Sequence, residues 1–370
     1  MTMRLTRIEK STYRDAVYQQ LRAELKRGAW RTGECLPSIK RIAAELGTSI
    51  RPVQQAFEML ERDGYVRREV GRGTTVVDIN PEADLRESAA LCLESGTHVY
   101  GDLALQLAGA LHAEGGVPVS VDIRDKGNAR QTMQRLARAG TRAFVVHISG
   151  YLDISFFAGP PFEDAVCIGA IHWGGPRLPR MAAVLSDPVA GARCVVDHLA
   201  EKGHERVLVL TPDEGHLTPS GPLVDDEALR CTSMRHGAEF VSQWAARGGG
   251  WEAAVSEPVG WGDCSFDAES FLGPFRGPDA PTAVFGIRDL EVIRAQQILR
   301  RDAPGLLRDL EFVGYYDTPW SHACDPPITT VDIRVDRICV ELECLISRIR
   351  AGTDVPRDPA WVAPALRTLE

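Results

Sequence analysis

Leu36-Pro37-Ser38-Ile39-Lys40-Arg41-Ile42-Ala43-Ala44-Glu45-Leu46-Gly47-Thr48-Ser49-Ile50-Arg51-Pro52-Val53-Gln54 is the stretch on which the reading of this 370-residue chain turns. Pro37 blocks a preceding helix and Ser38 can cap the next one, over which Ile39, Ile42, Ala43 and Leu46 recur at helical spacing. Gly47 stops that helix. Thr48 and Ser49 offer a second N-cap, and Val53, Phe57 and Leu60 mark the inner face of a helix reaching Glu61 or Arg62. Two helices joined by so short a turn cross steeply. Working outward, Tyr65–Val70 and Thr74–Val77 read as two strands joined at Gly71-Arg72-Gly73. The pattern predicts a winged helix-turn-helix.

The runs LPSxxxxAxxLGxS (from Leu36), VxxAxxxLxxxGxV (from Val53) and GxGTxV (from Gly71), with an upstream helix at Tyr13–Leu21 and the Gly28…Gly33 turn, resemble the GntR-type winged helix. The resemblance covers roughly residues 10 to 78 and implies binding of double-stranded operator DNA. Carried over position by position, it places Ser38 and Lys40 near phosphates, and Thr48, Ser49, Arg51 and Gln54 at the start of the recognition helix. Gln54 suits adenine, and Arg51 suits guanine or a phosphate. Arg72 and Gly73 fall at the wing tip. Relatives carry Arg where this chain has Ile50 and again where it has Gln54, so its base readout is expected to differ, with Arg51 standing in. Taken singly, each of these residues also suits a solvated helix face. Charge supports the grouped reading: residues 1–79 hold 15 Lys and Arg against 10 Asp and Glu, a net of +5, leaving −14 on the rest of a chain whose total is −9.

With 44% apolar residues the chain can bury a large core in two or more domains. No apolar run approaches the ~18 residues of a membrane span and no signal-peptide core is evident, so a cytoplasmic location without membrane association is expected. Nine cysteines without a CxxC pair suit reduced thiols. The polar stretch 79–87, broken by Pro81, reads as a linker between a DNA-binding domain at 1–78 and a body at 88–370. Within the body, apolar segments alternate with helical patterns as in a parallel α/β fold. Strands are expected at Ala89–Leu93, Val117–Val121, Ala143–His147, Arg206–Leu210, Ala253–Val255, Ala283–Phe285 and Phe312–Tyr315. Helices are expected at Asp102–Ala113 and Asn128–Ala139, and near 188–202, 232–247 and 289–301. Two such lobes make a cleft at the strand ends, where small ligands bind.

Ser186-Asp187, Gly191-Ala192, His198-Leu199, Gly203-His204-Glu205-Arg206-Val207, Pro281–Phe285 with Asp289, Phe312–Asp317 and Pro327–Val331 resemble, in order, the LacI/GalR-type regulatory domain related to periplasmic sugar-binding proteins. A GntR-type head on such a body is similar to the arabinose-repressor-like regulators. That resemblance implies a homodimeric repressor on a palindromic operator, controlled by a small effector: a sugar, sugar acid or sugar phosphate. Its effector positions fall on Thr97, His98, His147, Trp261, Arg288, Tyr316 and Asp317. Relatives have Asn where Arg288 stands, Asp where Tyr316 stands and Arg where Met234 stands. Arg288 is expected either to favour an acidic or phosphorylated ligand or to form a structural ion pair. Two other functions fit parts of the sequence. A constitutive DNA-binding or scaffold protein would have a cleft that has lost its ligand. An aminotransferase-like enzyme would need a Schiff-base lysine, and beyond the linker only Lys126, in an expected loop, and Lys202 remain. No GxSxG, HExxH or P-loop motif occurs, and neither a cofactor nor a metal site is expected.

Overall fold

The computed structural model describes residues 13–69, 73–77, 85, 87–94, 98–147, 154–173, 177–212, 235–258 and 264–368. These group into two compact units, the described parts of residues 1–86 with 131–140, and those of 87–130 with 141–370.

In the first unit, α1 (Tyr13–Lys26), α2 (Ile39–Leu46) and α3 (Ile50–Arg62) precede an antiparallel hairpin of β1 (Val66–Glu69) and β2 (Gly73–Val76). Local chemistry sets the boundaries. Ser38 accepts the Arg41 amide at 3.3 Å to cap α2, and Gly47 closes it in the left-handed region at φ 62°. Val17, Leu21 and Leu25 of α1 meet Ile42, Leu46, Val53, Phe57 and Leu60 in one buried core, which also takes in Val66 and Val76 of the hairpin. A chain segment before α2 joins the hairpin, with the Leu36 amide donating to Thr74 O at 2.7 Å and the Val76 amide to Glu34 O at 2.8 Å.

The second unit begins with β3 (Ser88–Leu93), α4 (His98–Ala113), β4 (Val117–Asp122), β5 (Ala143–Val146), β6 (Val166–Ile171) and β7 (Met181–Ser186), and between β4 and β5 the chain forms α5 (Lys126–Arg138), whose residues from Gln131 on group with the first unit. It continues through α6 (Pro188–Glu201), β8 (Arg206–Thr211), α7 (Arg235–Ala246), β9 (Gly250–Val255), β10 (Glu257–Pro258), β11 (Cys264–Ser265), α8 (Ala268–Leu272), β12 (Ala283–Gly286), α9 (Asp289–Asp302), α10 (Leu306–Asp309), β13 (Glu311–Tyr315), α11 (Pro319–Ala323) and β14 (Thr329–Asp332). It closes with α12 (Val335–Arg350), β15 (Ala360–Val362) and β16 (Ala365–Arg367). Two six-stranded sheets result, in the orders β15-β7-β6-β5-β3-β4 and β16-β14-β13-β12-β8-β9. All pairings within them are parallel except β14 with β16.

Each sheet is the centre of one lobe. The chain crosses between lobes after β7, after β14 and between β15 and β16, and the Asp187 amide donates to Val362 O at 2.9 Å where the first and third crossings run together. Asp187 also caps α6, accepting the Val189 and Ala190 amides at 2.9 and 3.1 Å, with Pro188 in the first turn. The expected α/β architecture is present. Three strands beyond those expected, the buried β6 and β7 and the edge strand β15, complete the first sheet. Lys126 opens α5 rather than lying in a loop, and α4 starts at His98 rather than Asp102. Among the described residues, no helix is long and apolar enough to cross a membrane, and eight cysteines are free thiols.

Candidate DNA interface and interlobe cleft

The inner face of α3 is buried through Val53, Ala56, Phe57 and Leu60, which leaves Ile50, Arg51, Gln54 and Glu58 exposed on the other side. Ser49 holds the N-cap position in an extended conformation, but its side chain makes no cap bond. Ser49 is thus the N-cap residue, as expected, though without a side-chain bond, and Pro52 at the third helical position has no N–H to offer it. The Ser49 hydroxyl is therefore left exposed beside the half-buried Thr48. Lys40 and Arg51 are exposed and make no ion pair among the described residues, and Gln54 approaches Glu58 at 3.5 Å. Gly73 begins β2 at φ 92° with open space around it, so a backbone requirement rather than a close approach explains the glycine. Arg72 lies outside the described residues. Sequence reasoning missed the pins that hold this surface: the Arg68 amide and Nε donate to the two Glu61 carboxylate oxygens at 2.8 and 2.9 Å. The Tyr18 hydroxyl donates to Asp63 at 2.7 Å, and Arg22 Nε donates to the Tyr65 hydroxyl at 2.9 Å.

In the second unit, strand ends and helix starts from both lobes deliver a chain of rings. His147 follows β5, His172 follows β6 and Tyr100 lies in the first turn of α4. The Tyr100 hydroxyl sits between His147 Nε2 and His172 Nδ1, 2.9 Å from the latter, so it can donate to one imidazole and accept from the other. From the opposite lobe, the Tyr316 hydroxyl approaches His172 Nε2 at 3.4 Å, and His236 at the start of α7 stacks on Tyr315 with centroids 3.7 Å apart. His236 Nε2 donates to Ile287 O at 2.7 Å. At the same junction, His98 meets Trp320 edge-on at 5.8 Å.

Burial keeps the three inner imidazoles neutral: it pulls His147 down to about 3 and His236 to about 4, and His172 is also lowered, with the neighbouring imidazoles adding to the effect. His147 Nδ1 is buried without a partner. The residues that aim these rings carry unusual backbone, with φ of 66° at Ile171, 96° at Tyr316 and 48° at Asp317. Left-handed conformations of such residues persist only where the surroundings impose them, and they cluster at sites.

The remaining expected effector residues behave differently. Arg288 bonds Glu291 through Nε at 2.7 Å and again through its terminal nitrogen, and Glu291 is fully buried. An ion pair of Arg288, one of the two roles expected of it, is present. Asp317 receives bonds from His322 at 2.7 Å and Arg367 at 2.9 Å, which anchor the turn after β13. Thr97 and Trp261 lie outside the described residues. Tyr100, His172, His236 and Trp320 were not singled out by the sequence reading. Lys202, weighed as a Schiff-base lysine, donates to Glu311 at 2.8 Å.

A winged helix and a two-lobed body of parallel sheets, with aromatic and imidazole side chains meeting between the lobes, define the class. The chain matches the model of bacterial regulatory proteins of the gntR family over residues 13–76 and that of the periplasmic binding protein-like domain over residues 196–368. Its first part thus matches a GntR-type helix-turn-helix domain and its last half a periplasmic-binding-protein-like domain. It is similar to the HTH-type transcriptional regulator TreR of Bacillus subtilis (strain 168), with 32% identity over 62 residues, 17% of this chain and 26% of that one. It is also similar to the HTH-type transcriptional regulator CelR of Thermobifida fusca, with 25% identity over 223 residues, 57% of this chain and 59% of that one. The match thus spans less than two thirds of either relative. In fold it resembles a LacI family transcriptional regulator from Arthrobacter sp. FB24 solved in complex with lactose, with a TM-score of 0.58 and 14% identity over 76% of this chain and 96% of that one.

Proposed function

We propose that this chain is a ligand-responsive transcriptional repressor: residues 1–78 bind a two-fold operator, residues 79–87 link, and residues 88–370 bind an effector and pair two copies. The observation that carries the reading is the pairing of two features. One is an exposed α3 face whose Ser49 and Arg51 have no internal partners; the other is a cluster in which Tyr100, His147 and His172 of one lobe meet Tyr316 of the other. Ser38, Lys40, Thr48, Ser49, Arg51, Gln54, Arg72 and Gly73 contact DNA in this reading, and two copies on a two-fold axis call for a palindromic site. His98, His147 and Tyr316, with Thr97 and Trp261, contact the effector, while Arg288 and Asp317 support the site through their ion pairs.

The effector is an uncharged sugar. Arg288 is already matched by Glu291 and the three imidazoles are neutral, so these residues present no surplus positive charge to an acid or phosphate. The related fold with bound lactose is consistent with that class. The test is gel retardation of DNA upstream of the chain's own gene, with and without sugars. Retardation at low salt that weakens steeply as salt rises is expected, and none at low salt overturns the DNA reading. A sugar at a hundred times its dissociation constant should add about 2.7 kcal/mol to stability, which a thermal-shift series detects. A flat response to neutral sugars, sugar acids and sugar phosphates would favour a constitutive DNA-binding protein.

A further inference from the structure

We infer that Ile50 is a base-reading residue that packs on the C5-methyl group of a thymine next to the base pair read by Gln54, an inference that rests on the DNA-binding reading above. Ile50 is 48% exposed and is the only large apolar side chain exposed among the described residues of the winged helix. Its placement is specific. It is the first residue of α3, and Gln54 follows one turn later on the same face, opposite the buried Val53, Ala56, Phe57 and Leu60. Arg51 and Ser49 flank it without internal partners, so an apolar tip projects from a polar, cationic rim.

An isoleucine at the tip of a helix that meets a major groove has one matching feature there, the thymine methyl, while an amide one turn away pairs bidentately with adenine N6 and N7. Both are the marks of A·T pairs. A β-branched side chain on a helix is held in one χ1 rotamer, so little freedom is lost when it packs on the base. The structure gives Ile50 no folding role that would explain its exposure: the core of this unit closes without it. Alanine is the better helix former at this position. An Ile50→Ala chain is therefore expected to fold, and its thermal melt should match that of the parent.

The test selects preferred duplexes from a random-sequence pool with the full chain, then replaces each thymine of the half-site by deoxyuridine, which keeps pairing and removes only the methyl. One thymine per half-site should lose affinity about fourfold, the value of one buried methylene-sized group. Ile50→Ala should lose about the same on the parent duplex and be indifferent to deoxyuridine at that position. Uniform tolerance of deoxyuridine by the parent chain, or unchanged sensitivity in Ile50→Ala, overturns the inference while leaving DNA binding intact. A pool in which no duplex is retained overturns the DNA-binding reading itself.

Discussion

On α3, Ser49 and Arg51 point outward without a bond to the rest of the chain, whereas between the lobes one hydroxyl, that of Tyr100, is shared by two imidazoles and a third ring group, Tyr316, reaches toward the second of them. The first surface has its contacts still to make. The second has already made them. Binding DNA through α3 requires no internal bond to break, and its polar groups stay solvated until phosphates or bases replace water. In the proposed reading, binding a ligand between the lobes exchanges one set of bonds for another, so affinity and internal stability would be coupled there. Substitutions on α3 should therefore alter binding with little effect on folding, and substitutions around the rings should alter both.

The largest expected effect lies beneath the rings. A Cβ at Gly191 would overlap the Tyr315 hydroxyl and crowd Pro364 at 3.3 Å on its other side. Tyr315 is fully buried and stacked on His236, so it cannot swing away. Gly191→Ala should destabilise the two-lobed unit by about 3 kcal/mol, the upper end for overpacking a core, measured by urea unfolding. An unchanged midpoint would mean that the ring stack is looser than its geometry implies, and would weaken the contrast with α3.

Next comes Tyr100→Phe, which leaves His147 Nε2 and His172 Nδ1 buried and unbonded. A loss of about 2 kcal/mol is expected, since orphaning buried polar groups costs their desolvation. Sugar-induced thermal shifts should shrink with it. A loss of stability with undiminished shifts would separate the rings from the ligand.

Much of this contrast was legible in the sequence on the α3 side and little of it on the other. Ser38, Gly47 and Pro52 act on neighbours within a turn, so α2 and α3 can be bounded from local chemistry, as can α6 from Asp187 and Pro188. β6 and β7 are buried on both faces and carry small residues, Cys167, Gly169 and Ala170 in one and Ala182 and Ala183 in the other, so no alternation of apolar and polar residues marks them. With β6 unseen, His172 at its end had no reason to stand out. Its partner Tyr316 lies 144 residues away, a pairing that only the folded sheets create. Arg288 illustrates the limit differently: its residue type suited either a ligand or an ion pair, and the ion pair it makes depends on the burial of Glu291 three positions on.

Acid should expose the same asymmetry in two steps. The folded state holds His147 and His236 far below the ordinary histidine range, so the unfolded chain takes up protons first. The two-lobed unit should keep its full stability above about pH 6.5 and lose part of it as pH falls toward about 4. Glu311 moves in a lower window. Burial alone would raise it, but bonds from His198 at 2.7 Å and Lys202 at 2.8 Å win and hold it at about 2. Its contribution is complete above the unfolded value of about 4.3 and is lost as pH falls through about 2. Glu311→Gln should cost about 1.5 kcal/mol at neutral pH, a charge-assisted bond's worth, and remove only the lower step. A single acid transition insensitive to Glu311→Gln would place that ion pair outside the stability of the fold.

Arg51→Ala tests the other half of the comparison and should change stability least. An exposed arginine without an ion pair is worth within about 0.5 kcal/mol to folding, so the thermal midpoint should not move. Its effect belongs to the complex. If Arg51 meets a phosphate, the slope of log affinity against log salt should become shallower by about 0.9 for each copy bound, and affinity should fall alike for all sequences. If it meets guanine, the slope changes less and preference relaxes at one base pair, by about 1 to 3 kcal/mol. A fall in stability without either binding change would mean that Arg51 serves the fold, and the outward-facing surface of α3 would then resemble the ring cluster more than it differs from it.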